Sequence, residues 1–463
     1  MIQVPFPLGG GNIELSLPDN TDVLGMTAPE PLSDPGAAIR AALESPIASP
    51  PLGVLARKAL ARPKGERPLA VILVSDNTRP VPYSGESGIL LPIVKTLLKE
   101  GFAADDIAVI AANGTHRPMA EDELKVMLDA EIWKLGVRVL NHNCRDEKAL
   151  RFLGTTPGGS EVYINSLYLD ADLKIATGLV ESHFMAGFSG GRKSVCPGII
   201  GEKSTFIFHG AAIMGHPESR DLNLEGNPCH EEALETARMA GVDFIVNVTL
   251  DHSFRICGVF AGGLEEAHKA AAEKVKSYVG IPAKGYYDIV VSHGGFVGVN
   301  HYQIAKVAVA SLGLLKKDGY LIVAGNNTDA VNRLGSPQYR TCLRLLRQIG
   351  SEAFVRLIKS PDWVFLPDQW QVQMWAKLFE RIPQDHFYYF SPQLDERHWE
   401  ELPGVNGGLL LPEDRRARPG LEDVPGFVAS AINAATASCP DAGRAAPRIA
   451  WLSDGPYGIP YQA

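Results

Sequence analysis

The 463-residue chain lacks any CxxC pair. Its six cysteines (Cys144, Cys196, Cys229, Cys257, Cys342 and Cys439) are scattered, which speaks against a structural zinc knuckle and against a disulfide framework. Reduced thiols in a cytoplasm fit such a set. The chain also lacks a run of the roughly 18 consecutive apolar residues that a membrane-spanning helix needs. Its start, MIQVPFPLGGGNIELSLPDN, carries neither a basic segment nor an apolar core and does not read as a signal peptide. Positive charge is not in surplus: 44 Lys and Arg face 53 Asp and Glu, a formal net charge of −9. That balance argues against a nucleic-acid or anionic-membrane partner. Internal repeats and low-complexity tracts are missing too. What is present is ordinary globular composition, 45% hydrophobic and 21% charged. The length asks for more than one core.

Local patterns give the organisation. Residues 3–17 read as a hairpin around Gly9-Gly10-Gly11-Asn12, and Asp34-Pro35 as the cap and first residue of a helix over Ala37–Leu43. Apolar, β-branched runs follow at Leu69–Val74, Ile107–Ala112, Val137–Leu140 and Leu173–Thr177. Helical patterns at Ile89–Lys99 and Glu121–Leu128 lie between them. Such alternation predicts mostly parallel sheet with helices on its faces. A second set begins at Asp288–Val291. It continues with a helix over Gln303–Leu315, a strand Tyr320–Ala324, a helix near Tyr339–Ile349 and a strand Trp363–Leu366. The sequence therefore predicts two α/β domains with an active-site cleft between them. Residues 1–282 form the N-terminal, cofactor-binding domain and 283–436 the C-terminal one. Leu421–Ala435 reads as a helix and CPDAGRAAP as a linker. The closing strand Arg448–Leu452 belongs to residues 445–463, which are expected to return and complete the first domain.

In open α/β sheets, functional groups gather just past the carboxyl ends of the strands. Four of the predicted strands end in polar, Gly- or Pro-bearing segments: SDNTRP (75–80), NGTHRP (113–118), GLVESHFMAGFSGGRKSVCPGIIG (178–201) and SHGGFVGVNHYQIAK (292–306). In the third, Ser189, Gly190 and Gly191 could close backbone N–H groups on an anion, with Arg192 and Lys193 adding charge. A basic surface turn is the plain alternative. Gly187 through Lys193-Ser194 also approaches the phosphate-binding pattern GxxxxGK[ST]. However, Arg192 stands where that pattern needs glycine, and Pro197 and Gly198 stop the helix that must follow. His116 and His183 follow two different strands. Imidazole titrates near neutrality, so such a pair can serve as acid and base in either direction. His209, in the apolar segment FIFHG, reads from the sequence as a core histidine. His142, His230, His252, His293 and His301 read as structural, and Cys196 as packing. Asp76 and Arg79 suit a turn-internal pair, and Gln303 and Lys306 share one face of a helix.

Together, SDNTRP, NGTHRP, HFMAGFSGGRKSVCPG, FHG and YQIAK resemble, in order and spacing, the lactate racemase family, over roughly residues 10–460. The resemblance implies a racemase or epimerase of 2-hydroxy acids. It also implies a nickel-pincer nucleotide (pyridinium-3,5-bisthiocarboxylic acid mononucleotide nickel) and therefore cofactor-synthesis proteins as partners. It assigns covalent attachment of that cofactor to Lys193, the nickel ligand to His209 and paired acid/base work to His116 and His183. Arg79 and Lys306 become the cations for the substrate carboxylate, with Asp76 and Gln303 as supporting polar groups. Ser189, Gly190 and Gly191 would lie near the cofactor's phosphate, and Trp370, in PDQWQVQ, near the substrate. The chemistry needs these residue types. The C–H bond beside a hydroxyl and a carboxylate is a very poor acid, whereas removing the hydroxyl proton lets hydride leave and gives a planar 2-oxo acid. Competing readings are a P-loop-like nucleotide hydrolase and a non-catalytic nickel- or cofactor-binding protein. Retention of both acid/base histidines argues against the latter, which needs only Lys193, His209 and the loop.

Overall fold

The computed structural model describes residues 1–8, 10–439 and 446–462. The chain divides into two compact units, Ala28–Tyr278 and a second built from Met1–Thr27 with Val279 onward. No helix among the described residues is long and apolar enough to cross a membrane, and the six cysteines are buried free thiols.

The Ala28–Tyr278 unit is built on a six-stranded sheet. Its strand order is Ile256–Gly262, Phe244–Leu250, Leu173–Leu179, Ala70–Val74, Ile107–Ala111 and Arg138–Asn141. All neighbours are parallel except the first pair. The sequences AVILV and IAVIA are buried at every position, as strands covered on both faces must be. Helices Pro35–Glu44, Leu52–Ala61 and Leu90–Glu100 bring Ile39, Leu52, Ile93 and Val94 against Ile72, Val74 and Val109 in one core. The first of these helices starts where Asp34 Oδ1 accepts the Ala37 N–H at 2.8 Å. From Ala70–Val74 the sheet grows in one direction through Ile107–Ala111 to Arg138–Asn141. The chain then crosses to the other side of Ala70–Val74 to lay down Leu173–Leu179. That reversal is a topological switch point, and loops leaving the strands on either side of it diverge and leave a crevice.

The second unit has a six-stranded, all-parallel sheet in the order Val405–Asn406, Phe387–Phe390, Leu315–Ala324, Tyr287–His293, Ile449–Leu452 and Thr21–Leu24. The N-terminal hairpin, Ile2–Leu8 with Gly11–Leu17, contributes Phe6, Leu15 and Leu17 to its core. They pack with Trp451, Ile289 and the helix Val424–Ser438, and Phe6 stacks on Trp451 at 5.0 Å.

Three expectations are corrected. Residues 1–27 and the closing strand belong to the unit of the second sheet, not to the first domain. Ile449–Leu452 pairs with Tyr287–His293 on one side and Thr21–Leu24 on the other. The main boundary falls at Val279, close to the expected Ile281-Pro282. Trp363–Leu366 is not a strand: Gln369 Oε1 accepts from both Trp363 Nε1 and Leu366 N at 2.8 Å, making the segment a lead-in to the helix Gln369–Arg381. The sheet takes Phe387–Phe390 instead. The expected linker CPDAGRAAP lies largely outside the described residues.

Candidate active site

Three neighbouring parallel strands, Leu173–Leu179, Ala70–Val74 and Ile107–Ala111, end at the same edge of their sheet. The segments after them therefore meet. Asp76 begins a turn closed by Arg79 N–H to Asp76 O at 3.2 Å. Gly114 takes φ +57° and donates its N–H to Gly198 O at 2.9 Å. A Cβ there would lie 3.3 Å from Pro197 O in a conformation that side chains disfavour. That contact docks the His116 turn on the segment after Lys193.

Within this edge the structure joins most of the expected residues of the unit into two pairs. In the first, Asp76 Oδ2 lies 2.7 Å from His116 Nδ1. Asp76 Oδ1 accepts from the Thr78 hydroxyl and, at 3.1 Å, from the Thr78 N–H. Burial opposes ionisation of Asp76, yet the bonds from His116 and Thr78 outweigh it and hold the carboxyl below its ordinary range. The carboxylate fixes the imidazole with Nδ1 toward it and Nε2 turned away, on a side chain that is 56% exposed. In the second pair, His183 Nε2 lies 3.1 Å from Lys193 Nζ. His183 Nδ1 accepts the N–H groups of Met185 and Ala186 at 3.3 Å each. The short strand Ser182–His183, paired with Gly187–Phe188, holds this arrangement.

His209 stands at the end of the short helix Thr205–Phe208, its N–H donated to Thr205 O. Burial, reinforced by the charges of Lys193 and His116, brings its pKa down to about 3. The ring is thus held neutral. Those two influences also place His209 within electrostatic reach of both pairs. Burial pushes Lys193 down to about 8, Arg192 and Arg79 adding to the shift. Its ammonium lies 5.6 Å from the centre of the Phe208 ring. Among the described residues, no group of three or more His, Cys, Asp or Glu could hold a metal ion.

The glycine-rich loop is tied down by internal hydrogen bonds. The Ser189 hydroxyl donates to Leu179 O at 2.8 Å and accepts the Glu181 N–H at 3.0 Å. The Gly191 N–H is taken by Asn247 Oδ1 at 2.9 Å. A Cβ on Gly191, at φ +51°, would lie 2.8 Å from the His268 ring. These groups anchor the loop. Arg192 is 1% exposed and is not a surface cation. It donates to Ala186 O at 2.8 Å and lies 2.9 Å from His268 Nε2. Residues Gly191–Ser194 form a single 3₁₀ turn, not the first turn of an α-helix, which removes the P-loop alternative. Cys196 is packing, as expected: burial pushes its thiol up to about 12.

Sequence reasoning missed Glu181, whose Oε1 lies 3.4 Å from Arg79 Nε, and missed His268 and Asn247. The last two come from a helix and a strand with no polar motif around them. Glu181 was visible beside Ser182-His183 as the acidic residue nearest the histidine.

The remaining candidates lie in the other unit. Gln303 and Lys306 are half-buried on the helix His301–Ser311. Asn300 caps that helix by accepting the Gln303 N–H at 3.1 Å, and Gln303 Oε1 is buried without a hydrogen-bond partner among the described residues. Trp370 opens the helix Gln369–Arg381, stacks near Phe365 and bonds the Tyr302 hydroxyl.

Comparison with known proteins bears on the family and the fold. The family model for the lactate racemase N-terminal domain matches residues 8–221. Lactate racemase of Lactiplantibacillus plantarum is 32% identical over 77% of this chain and 80% of its own length. Lactate racemase of Thermoanaerobacterium thermosaccharolyticum is 30% identical over 82% of this chain and 86% of its own. The solved lactate racemase apoprotein of Thermoanaerobacterium thermosaccharolyticum superposes with a TM-score of 0.82 at 26% identity, covering 99% of this chain and 100% of that one. A Thermotoga maritima protein at 17% identity and TM-score 0.59 shares the fold alone.

Proposed function

Because the chain belongs to the lactate racemase family, an isomerase family, we propose that it racemises or epimerises a 2-hydroxy acid with a covalently held nickel-pincer nucleotide. The reaction proceeds by proton-coupled hydride transfer through a 2-oxo acid. The residues fit the cofactor. Lys193 offers an amine of lowered basicity for covalent attachment, and His209 a neutral nitrogen for nickel. His209 would hold the nickel of the cofactor through its ring nitrogen. Ser189, Gly190 and Gly191 hold the attachment loop in shape, and their engaged polar groups support a positioning role better than a phosphate cradle. When bound, the cofactor supplies a reversible hydride acceptor.

The protein's own part is proton handling and orientation. Asp76 orients His116 so that its Nε2 serves a substrate hydroxyl, and the backbone of Met185 and Ala186 orients His183, whose Nε2 bonds Lys193 until that amine is taken up in attaching the cofactor. Either ring can take that proton from one enantiomer and return it to the other. Arg79 supplies a cation for the carboxylate. By the same family resemblance, Lys306 and Gln303 grip the substrate, and Trp370 packs against it.

The observation that carries this reading is the pair of oriented histidines after the two strands that flank Ala70–Val74, with Lys193 bonded to His183 and the charges of Lys193 and His116 both acting on His209. The experiment is production in a host that makes the pincer cofactor. Nickel content and intact mass are then measured, and each enantiomer of several 2-hydroxy acids is followed by chiral chromatography. Conversion of either hand to the mixture is expected. Nickel-loaded, mass-shifted protein that inverts no 2-hydroxy acid overturns the reaction. A cofactor-synthesising partner set and a cytoplasmic location accompany the proposal.

A further inference from the structure

Arg79 is not an idle cation waiting for an anion. Its Nε faces Glu181 Oε1 at 3.4 Å, and its Nη1 donates to Thr78 O at 3.2 Å. Glu181 is held firmly at the backbone. Its N–H goes to the Ser189 hydroxyl at 3.0 Å, and its carbonyl accepts the Ser189 N–H at 2.9 Å. Ser189 is itself buried. The acid therefore stands at a fixed place two residues before His183, while its side chain and that of Arg79 remain 46% and 36% exposed. An exposed pair with one long contact is weak and is exchanged readily for a better-placed carboxylate. Near it, Asp76 is committed to His116 and Thr78. Glu181 is thus the carboxylate positioned to answer the charge of Arg79.

We propose that Glu181 is a specificity-determining counterweight on Arg79. It occupies the guanidinium in the free site, gives way to the substrate carboxylate, and its fixed negative charge then sets how strongly the site holds anions. No covalent chemistry is involved; one carboxylate replaces another. Because Coulomb repulsion scales with the charge of the ligand, the counterweight acts more strongly on a dicarboxylate than on a monocarboxylate. The site is biased toward 2-hydroxy acids with one negative charge. This rests on the proposed function only in taking Arg79 as the carboxylate's partner.

The test is titration calorimetry of the holoenzyme with glycolate and with 2-hydroxymalonate, for wild type, Glu181→Gln and Glu181→Asp. Removing one charge a few ångströms from the anion is expected to tighten glycolate binding about threefold to tenfold. The gain for 2-hydroxymalonate should be about the square of that factor. Glu181→Asp, which keeps the charge, should stay near wild type. In an Arg79→Lys background the same substitutions repeat the trend at weaker overall affinity, which separates charge from fold. Equal gains for the two anions, no gain, or weaker binding in Glu181→Gln overturns the counterweight. The same proteins are assayed for inversion. Binding that follows the expected pattern without inversion of any 2-hydroxy acid keeps the counterweight and removes the reaction. Inversion with unchanged binding in Glu181→Gln does the opposite.

Discussion

Lys193 Nζ and His183 Nε2 lie 3.1 Å apart, while His183 Nδ1 is occupied by two backbone N–H groups. A neutral His183 with Nδ1 accepting carries its proton on Nε2, so the bond to Lys193 asks the amine to accept. Burial makes that possible by lowering the amine's pKa to about 8. The residue proposed for attachment and the residue proposed for proton transfer are thereby coupled in the chain itself.

In cofactor-free protein this makes Lys193 an unusually reactive amine. At pH 8 about half of it is neutral, roughly a hundredfold more than for an ordinary lysine. A small acylating reagent should label it ahead of the exposed lysines, as read by peptide mapping. Labelling no faster than theirs contradicts the lowered basicity. In cofactor-loaded protein the extra mass should map to Lys193 and vanish in Lys193→Ala.

The two histidines should divide the work by hand. His116→Ala and His183→Ala are each expected to lose about 10²–10⁴-fold in inversion rate in both directions. In single-turnover absorbance measurements, each variant should still reduce the cofactor with one enantiomer, and the enantiomer should differ between them. If both respond to the same hand, one base with a mobile substrate replaces the two-base scheme.

Asp76 should leave a mark on acid stability. Its folded carboxyl titrates below the ordinary 3.8. Its contribution is therefore complete above that value and is lost as pH falls through the lower folded value. Urea midpoints between pH 5 and 2 should fall less steeply for Asp76→Asn than for wild type. An identical slope removes the claim that the His116 and Thr78 contacts outweigh burial.

His209→Ala should lose nickel while remaining folded. Its ring contacts Phe208 at 4.6 Å, so a modest drop in melting temperature is expected beside near-complete loss of metal by elemental analysis. Undiminished nickel per chain assigns the ligand elsewhere, with His216 next to test.

Arg192 carries a structural prediction. Replacing it with Ala strands the Ala186 carbonyl and opens space beside His268, for a cost of about 2–4 kcal/mol in urea unfolding. A change under about 0.5 kcal/mol, the range of an ordinary surface substitution, contradicts its interior role.

Strands such as AVILV and IAVIA declared themselves because both faces are covered, and their polar ends pointed to the site without any coordinates. Asp76, His116, His183 and Lys193 were legible for that reason. The joining of residues 1–27 to residues near 450 was not, since pairing between distant strands leaves no local pattern. Nor was the fate of Arg192. A basic residue in a glycine-rich loop looks the same whether its guanidinium meets solvent or, as here, a carbonyl supplied by a neighbouring turn. His268 and Asn247 stayed hidden because one is a polar residue among many on the helix EAHKAAAEKVKSYV and the other interrupts the strand FIVNVTL with no motif around it.

The strand Thr21–Leu24 has one neighbour in its sheet, Ile449–Leu452. During synthesis, this strand must therefore wait for Ile449–Leu452, while the whole Ala28–Tyr278 unit is made in between. The two distant strands act as a clasp fastened only after Ile449–Leu452 has been made. A message truncated shortly before residue 449 would release a finished inner unit tethered to an unclosed outer one, with Tyr287–His293 exposing a raw edge.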